Sequence, residues 1–168
     1  QIEVPLAVKL SQHITGLSSF ARRAEDAGAN GLVLFNRFYG AEVDLDGLAM
    51  TSRLALSNPE ELRFPLRWIG ILRAQRPGLS LAATTGVHSG LDAVKALLVG
   101  ADVACTTSAV LQHGTGWVGR MLAELGTWLT DHDYDSVRQL QGSMSADNVS
   151  DPAAFERAQY MKVITSQI

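Results

Sequence analysis

Two stretches of small hydroxyl and glycine residues stand where a phosphate could be held. Residues 79–88 read L-S-L-A-A-T-T-G-V-H, and further along residues 101–109 read A-D-V-A-C-T-T-S-A. Each is an apolar run that stops at Thr, Ser or Gly and then hands over to a helix. Buried parallel strands read as near-continuous apolar runs, and the N-terminus of a following helix offers unpaired N–H groups and a partial positive charge to an anion. Two such ends side by side predict one ligand held by both. Two more polar residues close apolar runs: Lys9, and Asn36 directly after residues 31–35. A lysine at the end of a buried strand either snorkels to solvent or faces an anionic or electron-rich ligand. Asn36 either contacts a substrate or turns the chain. Cys105, the single cysteine, lies inside an apolar run and reads as a small core residue rather than a nucleophile. Asp131-His132-Asp133 reads as a solvated helix end, because adjacent residues seldom converge on one ion; no metal site is expected.

The elements that must position these residues follow from the spacing of apolar positions. Residues 4–10 predict a first strand and residues 31–35 a second. Between them Leu17, Phe20, Ala21, Ala24 and Ala27 recur at helical spacing, with Gly28 as the stop. Residues 40–57 have no clear period and predict a functional loop or hairpin lying over a site. Asn58-Pro59-Glu60-Glu61 is a helix start, and Leu62, Leu66, Ile69 and Leu72 form its stripe. Pro65 interrupts that stripe, so the regular helix is placed from Pro65 to Gln75. After the strand at residues 79–83, Ser89 and Asp92 make a capping box for a helix that ends at Gly100. Residues 102–106 are the fourth strand. A longer helix then carries Val118, Met121, Leu122, Leu125, Trp128 and Leu129. A short helical piece near residues 136–141 follows, and Asp151-Pro152 announces a last helix with Phe155, Ala158 and Ile164 on its apolar side.

Alternation of strand and helix with short connections predicts parallel strands and right-handed crossovers. Four such units form either a small open sheet or half of an eight-stranded barrel. The 168 residues, 46% apolar and 18% charged, suit one domain with a real core. A net charge of −3 with scattered basic residues gives no footprint for nucleic acid. No apolar run approaches the roughly 20 residues of a membrane span, so a cytoplasmic protein without membrane or nucleic-acid partners is expected. The chain opens on Gln1-Ile2-Glu3 and runs straight into an apolar segment, as though it begins in mid-domain.

The run T-T-G-V-H-S-G-L-D-A-V-K-A-L-L-V-G-A-D-V-A-C-T-T-S-A-V over residues 84–110 resembles the C-terminal phosphate-binding part of class 1 dihydroorotate dehydrogenases, flavoproteins built on an eight-stranded β/α barrel. A-V-K-L-S at residues 7–11, L-F-N-R at 34–37 and L-S-N-P at 56–59 fall before it in the expected order. G-S-M-S at 142–145 and F-E-R-A-Q-Y-M at 155–161 are more similar to a dihydroorotate-dehydrogenase-like subgroup than to the biosynthetic enzymes. The resemblance covers nearly the whole chain but only the second half of the family's domain.

It implies an α/β fold: the four C-terminal β/α units of a (β/α)8 TIM barrel over residues 1–132, then a helical C-terminal extension over 133–168. It implies FMN as cofactor and hydride transfer from a dihydropyrimidine-like small molecule, as in pyrimidine biosynthesis. Lys9 corresponds to the lysine on the isoalloxazine ring, where a cation stabilises reduced flavin. Asn36 corresponds to an asparagine that hydrogen-bonds the substrate. The loop from Ala55 to Ser57 corresponds to one that touches the flavin. Thr85, Gly86, Thr107 and Ser108 correspond to the backbone amides on the FMN phosphate. The family's catalytic base, a Cys or Ser, corresponds to nothing here and belongs on a loop before Gln1, so no catalytic residue is assigned. By the same analogy the parent enzyme is a dimer, or this half pairs with the missing N-terminal half.

Two positions depart from the family. Thr85-Gly86 replaces two glycines, and Thr107-Ser108 replaces glycine-threonine. Glycine allows close approach and positive φ, which β-branched Thr resists, although Thr hydroxyls could donate hydrogen bonds instead. The alternative reading is a phosphate-ligand-binding or structural half-barrel module without redox activity.

Overall fold

In the computed structural model, which describes residues 3–156 and residue 165, four strands run parallel in one sheet. They are β1 (Ala7–Ser11), β2 (Gly31–Asn36), β5 (Ser80–Ala83) and β6 (Val103–Ala104), in the order β1-β2-β5-β6. β3 (Glu42–Asp44) and β4 (Ala49–Thr51) form a separate antiparallel hairpin, the excursion expected between residues 40 and 57. The strand order never reverses. A doubly wound sheet reverses at a switch point and carries helices on both faces. Steady order with right-handed crossovers stacks the helices on one face, as in the wall of a barrel.

Side-chain register makes this visible. Leu10, Leu34, Ala83 and Ala104 are partners across the four strands, and the first three are at most 4% exposed beneath the helices. One residue earlier, the row Lys9, Val33, Ala82 and Val103 faces the other way. Lys9 is exposed, Val33 and Ala82 are only half-buried, and Val103 is 53% exposed. Parallel sheets are ordinarily covered on both faces. Here one face is packed and the other open.

On the packed face, α1 (Leu17–Asp26) adjoins α2 (Arg63–Gln75), which adjoins α3 (Gly90–Leu98). Leu17, Ala21, Ile69, Leu72 and Ala96 meet Leu32, Leu34 and Leu81 in the main core. α2 is preceded by a 3-10 turn, Pro59–Leu62, capped by Asn58. Pro65 then falls in the first turn of α2, where its missing N–H leaves no orphan, so the helix begins two residues before the expected Pro65. α3 starts at the expected Ser89–Asp92 capping box. α5 (Trp117–Asp131) lies against α3 so closely that a Cβ on Gly90 would come within 2.3 Å of the Met121 carbonyl oxygen.

The segment after residue 132 folds back over the helices. α6 (Val137–Leu140) inserts a fully buried Leu140 between Val94 and Leu97. α7 (Ala153–Glu156) sets the Phe155 ring against Gly70, and Arg67 donates to the carbonyls of Phe155 and Glu156 at 2.6 and 2.8 Å. Ala158, Ile164 and residues 157–161 of the F-E-R-A-Q-Y-M run lie outside the described residues.

Besides the start of α2, two strand boundaries and one extra helix differ from expectation. β1 starts at Ala7 rather than residue 4, because Pro5 cannot donate to a ladder and Val4 and Leu6 are exposed. β6 is two residues long rather than five. The carboxylate of Asp102 is taken by the Arg73 guanidinium at 2.5 Å and the Leu81 N–H at 2.8 Å, which ends the regular ladder at its start. Past Ala104 the Cys105 N–H still donates to the Ala83 carbonyl at 2.8 Å, and Thr106 then turns its hydroxyl to the Val87 carbonyl. Ser108–His113 forms a short helix, α4, that has too few residues to show a period and buries only Ala109.

Candidate functional site

All four parallel strands point their C-terminal ends at one cleft of about 180 Å³. Lys9, Asn36, Ser57, Thr85, Gly86, Thr107 and Ser108 all line it. These are seven of the eight residues picked from the sequence. The eighth, Ala55, does not line the cleft; its carbonyl accepts from Arg37 Nη1. Whole ligand pockets usually measure roughly 300–1,000 Å³. The cleft therefore has room for part of such a ligand, with the open sheet face beside it.

Lys9 reaches the cleft from the open face of β1 and has no ion-pair partner among the described residues. Asn36 ends β2, in register with Ser11. Leu54, Leu56 and Ser57 enter on the irregular segment returning from the hairpin, whereas Val43, Leu45, Leu48 and Met50 of the hairpin itself stand exposed and do not line the cleft. Cys105 is half-buried and lines the cleft, contrary to its reading as a core residue. β6 is an edge strand, so only one side of it is packed.

The turn after β5 holds the least ordinary backbone. Thr85 has φ +76° and Gly86 φ +82°. A β-branched residue in the left-handed region is uncommon, and it is held there by its hydroxyl, which donates to the Phe35 carbonyl at 3.1 Å. That hydroxyl is thus committed to the protein rather than to a ligand. At Gly86 a Cβ would lie 2.3 Å from the Leu62 backbone nitrogen, so glycine is required by space as well as by φ. Thr107, at φ −135°, needs no glycine; it caps α4 without a side-chain bond, and the first N–H groups of α4 open beside it.

Two groups escaped the sequence reading. Arg37 forks onto Glu61 through Nε–Oε2 at 3.1 Å and Nη2–Oε1 at 3.2 Å, while Glu61 also accepts from the Asn58 N–H as part of its capping box. Its only sequence signal was a charge immediately after Asn36 at a strand end. The second is a hydrogen-bonded chain. Ser57 Oγ lies 3.0 Å from His88 Nε2 and 2.8 Å from Ser108 Oγ, and the Ser57 N–H donates to Ser108 Oγ at 3.0 Å. No spacing of 31 and 51 residues announces such a contact.

The turn is braced from below. Asp92 is nearly fully buried; burial pushes its carboxyl up, but donation from Lys95 Nζ at 3.0 Å, the Ser89 hydroxyl at 2.9 Å and the His88 N–H at 3.1 Å outweighs this and holds it below the usual value. Trp117 Nε1 donates to the His88 carbonyl at 2.8 Å, and the Thr106 hydroxyl donates to the Val87 carbonyl at 2.8 Å, so the two strand ends are tied together. His132 stacks on Trp128 with ring centroids 3.9 Å apart and bonds its carbonyl through Nδ1 at 2.9 Å. No described helix is long and apolar enough to cross a membrane.

The fold and cleft define a partial β/α barrel with its site at the C-terminal strand ends, where barrel enzymes place their chemistry. No family model matches the chain. Its homologues are dihydroorotate dehydrogenases, as the sequence resemblance implied. The chain is 32% identical over 145 residues to the dihydroorotate dehydrogenase B (NAD(+)) catalytic subunit of Citrifermentans bemidjiense, covering 83% of this chain and 46% of the relative. It is 33% identical over 110 residues to dihydroorotate dehydrogenase A (fumarate) of Lacticaseibacillus paracasei, covering 63% and 37%. Among solved structures, ligand-free dihydroorotate dehydrogenase from Eimeria tenella superposes with TM-score 0.66 at 21% identity, covering 82% of this chain and 39% of that one, a likeness of fold. The chain thus spans between a third and a half of the length of the curated relatives it matches.

Proposed function

We propose that the protein carrying this chain is an FMN-dependent oxidoreductase of dihydroorotate dehydrogenase type, and that residues 1–132 supply the second half of its barrel with the cofactor's phosphate end. The observation that carries this reading is the convergence of Lys9, Asn36, Thr85–Gly86 and Thr107–Ser108 on one cleft. The residues present suit such a group. Lys9, without an ion-pair partner among the described residues, lines the cleft, the Thr85–Gly86 turn has glycine-type backbone, and the first turn of α4 supplies N–H donors for a phosphate.

Held in that cleft, FMN would supply an acceptor for a hydride from a C–H bond of a dihydropyrimidine-like substrate. Lys9 would hold the ring, where its ammonium would stabilise the negative charge that reduction creates. Asn36 orients the substrate by hydrogen bonding through its amide. The turn at Thr85–Gly86 and the start of α4 would hold the phosphate, and the Ala55–Ser57 segment would hold the flavin. A base from another segment would remove the second proton, since by the family resemblance the Cys or Ser in that role has no counterpart in this sequence. The open sheet face and the two unpaired edges support pairing with the other barrel half, within a cytoplasmic homo-oligomer.

The test is the visible spectrum of the purified full-length protein, FMN reconstitution, and a dihydroorotate oxidation assay. Bound flavin that dihydroorotate bleaches is the expected result. A colourless protein that takes up no FMN overturns the reading.

A further inference from the structure

We propose that His88 is a positioning residue for the anion in the cleft: acting through Ser57, it aims the proton of Ser108 at a phosphoryl oxygen. This rests on the phosphate reading above and adds to it a residue that makes no contact with the phosphate. A hydroxyl has one proton to give and two lone pairs to fill. Ser108 Oγ accepts the Ser57 N–H at 3.0 Å and the Ser57 hydroxyl at 2.8 Å, which fills both lone pairs. Its own proton is left over, and Ser108 lines the cleft. With its proton given to Ser108, the buried Ser57 oxygen still has lone pairs to satisfy, and His88 Nε2 is the group in place at 3.0 Å.

The direction of this chain depends on His88. With hydrogen on Nε2, the donors run His88 to Ser57 to Ser108 to ligand. With Nε2 bare, they run the opposite way, Ser108 to Ser57 to His88, and Ser108 has nothing left to offer. A bound anion accepts and does not donate, so it selects the first arrangement. The geometry keeps both options sharp: Ser57 is 6% exposed, and His88 is fixed at its backbone by the Asp92 carboxylate on its N–H and the Trp117 indole on its carbonyl. Ser57 itself is closed to bulk water, so the donor to its oxygen comes from its protein neighbours.

The experiment uses the full-length protein and three probes: FMN, riboflavin, which lacks the phosphate, and inorganic phosphate as a competitor. His88→Leu removes the donor. His88→Gln returns an N–H at a similar reach. His88→Leu is expected to weaken FMN about fivefold to tenfold, the scale of one net hydrogen bond, and to leave riboflavin unchanged. His88→Gln is expected to stay within about twofold of wild type. The double variant with Ser57→Ala should bind FMN no more weakly than either single variant, as members of one chain do. Should His88→Leu fail to fold, His88→Phe carries the same criteria, since it keeps a ring of similar size and removes the Nε2 donor. Equal FMN affinity in His88→Leu and wild type overturns the relay, as does equal weakening of FMN and riboflavin. A wild-type protein that binds neither FMN nor phosphate overturns the phosphate reading, and the relay falls with it.

Discussion

The guanidinium of Arg37 and the carboxylate of Glu61 meet as two forks, at 3.1 and 3.2 Å, joining the end of β2 to the turn that starts α2. Arg37 also holds the Ala55 carbonyl and lies 5.3 Å from the Tyr39 ring, so one side chain fixes the return segment at the cleft wall. Lysine cannot make this planar fork. Arg37→Lys should cost about 1–2 kcal/mol in urea unfolding and loosen residues 53–57 in hydrogen exchange. Unchanged exchange there would show that the fork is incidental.

Thr85 is strained by its φ and rescued by its hydroxyl. Thr85→Gly relieves the strain, worth about 1–2 kcal/mol, but loses a hydrogen bond and gains chain entropy of similar size. Its stability should differ from wild type by less than about 1 kcal/mol. Thr85→Val keeps the strain and loses the bond, and should be less stable by about 1–3 kcal/mol. Chemical denaturation of the pair separates the two effects.

Gly86 has neither space nor a suitable φ for a side chain, since the atom in the way is the Leu62 backbone nitrogen. Gly86→Ala should cost about 3 kcal/mol or more, from left-handed strain plus overpacking. A variant melting within a degree of wild type would contradict the packed contact.

The depressed carboxyl of Asp92 makes stability depend on pH. Its folded value lies below its unfolded one, so the stabilisation is fully present above the ordinary carboxylate value and fades as pH falls through the lower folded value. Asp92→Asn should lose about 1–3 kcal/mol at neutral pH and flatten this contribution in acid. Thermal unfolding from neutral pH down to about pH 3 measures both, and parallel curves for the two proteins would remove Asp92 from the account.

Lys9 is exposed and has no ion-pair partner among the described residues, so Lys9→Met should leave the melting temperature unchanged. On the proposed flavin reading, the rate of flavin reduction should fall about 100-fold. Stopped-flow absorbance at saturating substrate reads it directly.

Much of this fold was legible because its elements carry local signals. The Ser89–Asp92 box, the Asn58 cap and the apolar stripes of α1, α3 and α5 each lie within one element, and the helices start or stop where those residues say. Elements held by distant groups were not. β6 is cut short by Asp102 turning to Arg73, a residue 29 positions away, and α4 is too brief for periodicity. The cleft residues were located through strand ends and family resemblance, which say where a residue stands but not what its side chain holds. Thus Thr85 was visible and its bond to Phe35 was not, and Ser57 was visible without His88.

The open row Lys9, Val33, Ala82 and Val103 has a consequence for packing. In a closed barrel, inward side chains stack in layers of four, each layer fed by alternate strands. Lys9 and Ala82 therefore belong to one layer, Val33 and Val103 to the next, and each layer is half filled. Gly31, Ser80 and Ala82 on this face are small, so the volume they leave calls for bulky partners opposite. The surface that closes over this sheet should be rich in large aliphatic or aromatic side chains around its middle, and should turn polar only where it approaches Lys9.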